Sequence, residues 1–181
     1  MTADRRALED ELLVVRCRRG DEAAWRSLVD RYQPRLRCLV RRMVPDGAVD
    51  STLQETWMAI FRGLSRLRAG DRFAPWAYAI ARNRSLTRLR WAYADAAARL
   101  DDAPPPTTAD EDYGRLDDAD AVHAGLARLS VAHREVLTLF FLDDLTLAET
   151  AAVLGVAEGT VKSRLHRARA ALAEHLPPED A

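Results

Sequence analysis

Apolar residues recur along most of the chain at helical intervals, and no stretch shows the alternation of a half-buried strand. Leu8 to Arg19 is predicted as a short helix with Leu12, Leu13 and Val15 inward, stopped by Gly20 before Asp21 caps the next. Ala23, Ala24, Trp25, Leu28, Val29 and Tyr32 carry that next helix, and Leu36, Leu39, Val40 and Met43 continue its face. Pro34 between them predicts a kink or a fresh start. Pro45-Asp46-Gly47 is a turn. A third block, about Val49 to Leu67, places Leu53, Trp57, Ile60, Phe61 and Leu64 inward and Asp50, Ser51, Gln54, Glu55 and Met58 outward. After a loop at 69–72, a fourth block from Phe73 to Ala97 has Trp76, Ile80, Ala81, Leu86 and Leu89 on its stripe. Arg82, Arg84, Arg88 and Arg90 lie largely off it.

The pattern then breaks. Residues 101–120 hold Pro104-Pro105-Pro106, many acids and few large apolar side chains, so they predict a linker, partly extended at the prolines. Helical spacing resumes with Ala121, Val122, Leu126 and Leu129, and Ser130 is placed to cap a helix from Val131 to Leu142 that ends at Asp143-Asp144. The predicted fold class is all-α: a helical domain at 8–97, a flexible acidic linker at 98–120 and a smaller helical domain at 121–176.

The most structured local signal lies at 146–172. Thr146 and Glu149 have capping-box spacing, Ala148, Ala151, Ala152 and Leu154 give a short helix one small face, and Gly155 is placed to end it. Val156 plugs the turn, and Val161, Leu165, Ala168 and Leu172 form the stripe of a second helix from about Glu158. Two such helices around a tight turn predict a helix-turn-helix, the second helix entering a DNA major groove. Its early residues Glu158, Thr160, Lys162 and Ser163 would face base edges, and Arg164, Arg167 and Arg169 phosphates.

The net charge of the 181 residues is only -1, but its distribution is uneven. Eight arginines between Arg62 and Arg90 share their stretch with one acid, Asp71, while acids dominate from Asp95 to Asp120. This segregation predicts a basic surface and an acidic connector. With 48% hydrophobic and 30% charged residues the chain is expected to bury a core. No apolar run reaches membrane-span length, and the first residues lack a signal peptide's apolar segment, so the expected location is the cytoplasm, without membrane insertion. Cys17 and Cys38 sit within helical patterns as small hydrophobes, and a redox pair between them has no support. The four histidines share no ligand spacing, and there is no phosphate loop or nucleophile elbow; no metal, cofactor, small-molecule substrate or catalysis is expected.

The C-terminal run from Leu126 to Arg169, with G-T-V-K-S-R-L-H-R-A-R at its end, resembles region 4 of the bacterial extracytoplasmic-function sigma factors, small members of the sigma-70 family. Gly20-Asp21, Ala24-Trp25, Leu53-Gln54-Glu55, Phe73-Ala74-Pro75-Trp76 and Ile80-Ala81-Arg82-Asn83 are similar to their region 2. The resemblance implies a factor that gives core RNA polymerase, through its β′ and β subunits, its promoter specificity, under an anti-sigma factor. It implies that Asp50, Ser51, Gln54, Glu55 and Met58 dock on a β′ coiled coil, although the family commonly has an acid where Ser51 stands. Arg82, Asn83, Arg84, Arg88 and Arg90, with the loop from Arg68 to Ala74, match the part that opens the −10 element and holds unpaired bases. Region 4 would read the −35 element. Trp76 fits either stacking on bases or the core, and Tyr78 is expected to point outward. The linker's acids either imitate nucleic acid in a polymerase channel or simply solubilise a spacer. Two rivals remain: a stand-alone helix-turn-helix regulator on a two-fold operator, and a sigma mimic that sequesters an anti-sigma factor.

Overall fold

The computed structural model describes residues 2–67, 72–99 and 124–176, and every regular element among them is helical. Four helices build the first half: α1 (Thr2–Arg18), α2 (Glu22–Arg41), α3 (Val49–Gly63) and α4 (Phe73–Arg99). The second half contains α5 (residues 124–128), α6 (Val131–Leu137), α7 (Leu147–Leu154) and α8 (Glu158–Ala173). The all-α class is as the periodicity predicts. The linker lies almost wholly outside the described residues, as do Arg68 to Asp71 and the start of the second domain at Ala121.

Local chemistry sets the first half. The Asp21 carboxylate caps α2 by accepting from the Ala24 N–H at 3.1 Å. Helix α2 then runs unbroken through Pro34, burying Leu28, Tyr32, Leu36 and Leu39 completely. The ring costs one backbone hydrogen bond there, and the apolar face on both sides of it holds the helix together.

Two apolar stripes compete on α1, and the expected one loses. Leu12 is 60% and Val15 38% exposed, while Leu13, Val14 and Cys17 are buried with Asp10. Positions 10, 13, 14 and 17 form one helical face, and its acid is satisfied. Asp10 accepts from Tyr32 Oη and, at 2.7 Å, from Arg31 Nη1. A carboxylate paired in this way can be buried, and it fixes the rotation of α1. Phe61 also departs from expectation: it is 65% exposed and stacks at the edge of the core on Trp25, centroids 5.2 Å apart.

In the second half, Ser130 caps α6 by accepting from the His133 N–H at 3.3 Å. The helix then widens into a π turn, Thr138–Leu142, which rotates its later side chains out of phase with the earlier ones. Leu139 is buried, and Phe141 is left 49% exposed. Asp144, at φ 55°, turns the chain toward α7.

The capping box of α7 is present in both directions. Thr146 Oγ1 accepts from the Glu149 N–H at 3.2 Å, and Glu149 Oε2 accepts from the Thr146 N–H at 2.9 Å. Gly155 ends α7 in the left-handed conformation, φ 67°. Thr150, Ala151, Val153 and Leu154 are buried, whereas Ala148 and Ala152 of the expected face are exposed. Val161, Leu165 and Ala168 seat α8, as their spacing predicts. Since Gly155 has open space where a Cβ would go, Gly155→Ala is expected to cost only backbone strain. That is about 1 kcal/mol of stability, read as a lower urea midpoint with an unchanged m-value.

The halves also touch. Helix α7 lies along α4, and Arg134 of α6 donates to the Arg42 carbonyl at the end of α2, at 2.9 Å.

Candidate nucleic-acid and docking interfaces

Helix α3 splits into two faces. Val49, Thr52, Leu53, Thr56 and Ile60 are buried, and Thr52 and Thr56 bond back to carbonyls of the preceding turn at 2.7 and 2.8 Å. Asp50, Gln54, Glu55 and Met58 are exposed, with Met58 at 47%. The Asp50 carboxylate pairs with Arg37 of α2. Ser51 is half-buried: its hydroxyl donates to the Ala48 carbonyl at 3.1 Å and accepts from Arg88 at 3.0 Å. The docking set therefore borders the arginine helix, and Arg88 joins the two. Exposed Phe61 lies one turn beyond Met58 on the outer side of α3, although its spacing predicts a place in the core.

The α4 arginines do not form one surface. Arg84, Arg90 and Asn83 are exposed, Arg88 leans on Ser51, and Arg82 turns toward the second half. Two further aromatics, which the sequence pattern does not single out, stand on the same helix: Trp91 is 70% and Tyr93 68% exposed. Exposed rings among cations are suited to base stacking. Their signal in the sequence is an aromatic pair off the apolar stripe in an arginine-rich helix. Trp76, by contrast, is a packing residue. Its ring lies 5.9 Å from that of Phe73 and over Gly63, where an added Cβ would come within 2.9 Å of it.

Helix α8 presents Glu158, Lys162, Ser163, Arg167 and Arg169 to solvent, while Thr160 and Arg164 are half-buried. Ser163 donates its hydroxyl to the Thr160 carbonyl at 3.0 Å. Arg169 sits 5.8 Å from the ring centre of Phe141, a cation–π contact that turns it to the helix flank. Phe140, Phe141, Leu147 and Leu165 line an open groove there, with Lys162, His166 and Arg169 on its rim.

Tyr78 is fully buried and does not point outward as expected. It is covered by the second half, where it faces Asp143 without an aligned hydrogen bond. Burial pushes the Asp143 carboxyl up to about 7, against the pull of the Tyr78 hydroxyl, Arg35 and Arg42 and with a smaller push from Asp144. Asp10, Arg72 and Glu149 line the same cleft. Glu135 is also raised by burial, opposed by Arg82 and Arg164.

Both acids hold protons more tightly when packed than in the unfolded chain, so packing takes up protons. For Asp143 the resulting stabilisation is complete below about pH 4 and is lost as pH rises through about 7. Its share of the folding equilibrium constant is expected to fall about tenfold between pH 6 and pH 8. Asp143→Asn should remove that share, read as a flatter dependence of the urea midpoint on pH.

Comparison with known proteins agrees with this architecture. Residues 28–92 match the model of sigma-70 region 2, and residues 119–172 that of sigma-70 region 4. The ECF RNA polymerase sigma-E factor of Salmonella typhimurium is 32% identical over 191 aligned positions, covering 94% of this chain and 96% of the relative. The ECF RNA polymerase sigma factor SigM of Mycobacterium tuberculosis is 38% identical, covering 87% of this chain and 79% of its own. Among solved structures, the sigma factor RpoE in complex with the anti-sigma factor NepR, from Bartonella quintana, superposes with a TM-score of 0.73 at 23% identity. That superposition covers 86% of this chain and 98% of that one. With both halves in the same order and a relative matched over nearly its whole length, the chain belongs to the extracytoplasmic-function sigma factors of the sigma-70 family.

Proposed function

We propose that the chain directs core RNA polymerase to promoters by reading two elements with its two halves, and that it carries out no catalysis itself. One observation carries this reading. Helix α8 is seated by Val161, Leu165 and Ala168 behind a fully formed turn, leaving Lys162, Ser163 and Arg167 outward, as a groove-reading helix requires. In this reading α8 takes the −35 element. Asn83, Arg84 and Arg90, with Trp91 and Tyr93 beside them, hold the opened −10 strand. Gln54, Glu55 and Met58, flanked by Asp50 and Ser51, dock on β′, and the Phe141 groove offers the second half a contact with β. An anti-sigma factor covering these surfaces is the regulator, and the site of action is the cytoplasm. No helix of the described residues is long and apolar enough to cross a membrane, which is consistent with this placement.

Mapping RNA 5′ ends after overexpression in the host tests the reading. Starts should share two short boxes at a fixed spacing from one another and from the start. Induced genes that share a two-fold symmetric operator with no such spacing would support the stand-alone regulator instead.

A further inference from the structure

We infer that Ser51 keeps the charge of Arg88 available to the DNA backbone: it holds the guanidinium through a neutral hydroxyl, and so positions a phosphate contact that an acid at 51 would cancel. The inference rests on the DNA role of α4 proposed above and names the residue that governs one of its cations.

Ser51 stands in the first turn of α3, and Arg88 reaches it across the packing of α3 on α4. The hydroxyl has one hydrogen, which it donates to the Ala48 carbonyl at 3.1 Å. Toward Arg88 its oxygen is left as an acceptor, and it takes one N–H from Nη2 at 3.0 Å. A guanidinium has five N–H donors, and this is the one hydrogen bond that Arg88 makes among the described residues. No carboxylate pairs with it there either. Asp50, next to Ser51 in the chain, is taken up by Arg37 of α2. Arg88 is therefore fixed in place with its charge uncancelled.

Arg84 stands one turn before Arg88 on α4, with Cβ atoms about 6 Å apart, and is exposed. It too has no carboxylate partner among the described residues. Two like charges at that spacing repel each other in the free chain. A phosphate between them removes the repulsion and accepts from both, with exposed Asn83 and Thr87 alongside.

The residue at 51 decides how much of this charge the DNA meets. A carboxylate within hydrogen-bond reach of Arg88 would pair with it and set a negative charge against the approaching phosphate. A partly exposed ion pair adds little to folding stability, so the choice between hydroxyl and acid weighs on DNA binding rather than on the fold. Ser51 is a positioning residue here: it acts on DNA through Arg88.

The test uses holoenzyme assembled with saturating core polymerase, so that changes in docking do not enter, and a labelled promoter fragment carrying one of the mapped starts. Affinity is followed from about 50 to about 200 mM salt, where each phosphate contact contributes about 0.9 to the slope of log affinity against log salt. Ser51→Asp should lower the slope by about that much and weaken binding about tenfold. Ser51→Asn has the same size and a neutral acceptor, so its slope should equal that of the wild type. Arg88→Gln should lower the slope as Ser51→Asp does. In the Arg88→Gln background, Ser51→Asp should lose most of its effect, because the arginine it acts through is gone. An unchanged slope in Ser51→Asp, an equal fall in Ser51→Asn, or a full effect of Ser51→Asp without Arg88 overturns the inference. Arg84→Gln separates this outcome from the reading beneath it. If Arg84→Gln lowers the slope and Ser51→Asp does not, α4 still binds DNA and the control by Ser51 has failed; if neither does, the DNA role of α4 has failed with it. Should circular dichroism show Arg88→Gln to be unfolded, Arg88→Lys takes its place. The charge then stays, so the slope must match the wild type, and a lower one overturns the inference.

Discussion

Core polymerase is expected to lose its hold on a Gln54→Ala, Glu55→Arg variant by roughly a hundred- to a thousandfold. Both side chains are exposed on α3, while the same helix is anchored from its other side by Leu53, Thr56 and Ile60. The substitutions therefore leave the core intact and act on the surface. Interface centres concentrate energy in few residues, about 2 kcal/mol or more each, and reversing the charge at Glu55 turns a complementary contact into a repulsive one. A titration of labelled core against wild type and variant measures the loss, with circular dichroism to confirm that the variant is folded. If the folded variant binds core as tightly as the wild type, the docking face is elsewhere on the molecule.

The second large effect is expected from Lys162→Ala with Arg167→Ala. Arg164 is not chosen, although the sequence places it among the phosphate contacts. It is half-buried near Glu135, which pairs with Arg82 of the first half, so its removal would disturb that packing as well as any contact with DNA. Lys162 and Arg167 are exposed, and neither belongs to the stripe that seats α8. Each groove or phosphate contact is worth about 1–3 kcal/mol, so together they should reduce initiation from an intact upstream box by roughly 30-fold or more. Initiation should fall to the level of a scrambled box, while core affinity stays at wild type. The dependence of binding on salt should also weaken, because fewer counterions are released. Undiminished use of the upstream box by this variant would remove α8 from the reading role.

Features decided by local chemistry are legible in the sequence. The Thr146–Glu149 box, the left-handed Gly155 and the Asp21 cap each act within one turn, so their residues disclose them without the rest of the fold. The same holds for the exposed set on α3 and the outward residues of α8. Features that depend on contacts between distant segments are not legible in this way. Helix α1 offers two usable stripes, and the choice between them is made by Tyr32 and Arg31 on α2 satisfying Asp10. Tyr78 has the spacing of a surface ring because its cover comes from the other half of the chain. Arg82 reads as interchangeable with Arg84, yet the two point differently, and of the two only Arg82 meets a buried acid. The π turn at 138–142, which exposes Phe141, has no residue type that announces it.

Central to all of this is a specificity subunit whose two readers work only when a polymerase holds them. Run-off transcription tests that most directly: purified chain and core polymerase from the same host, on templates bearing the mapped start sites, with no inhibitor present. Transcripts of defined length should appear when both proteins are supplied and vanish when either is left out. Absence of chain-dependent transcripts from every such template, with an active core and a folded chain, would contradict that role.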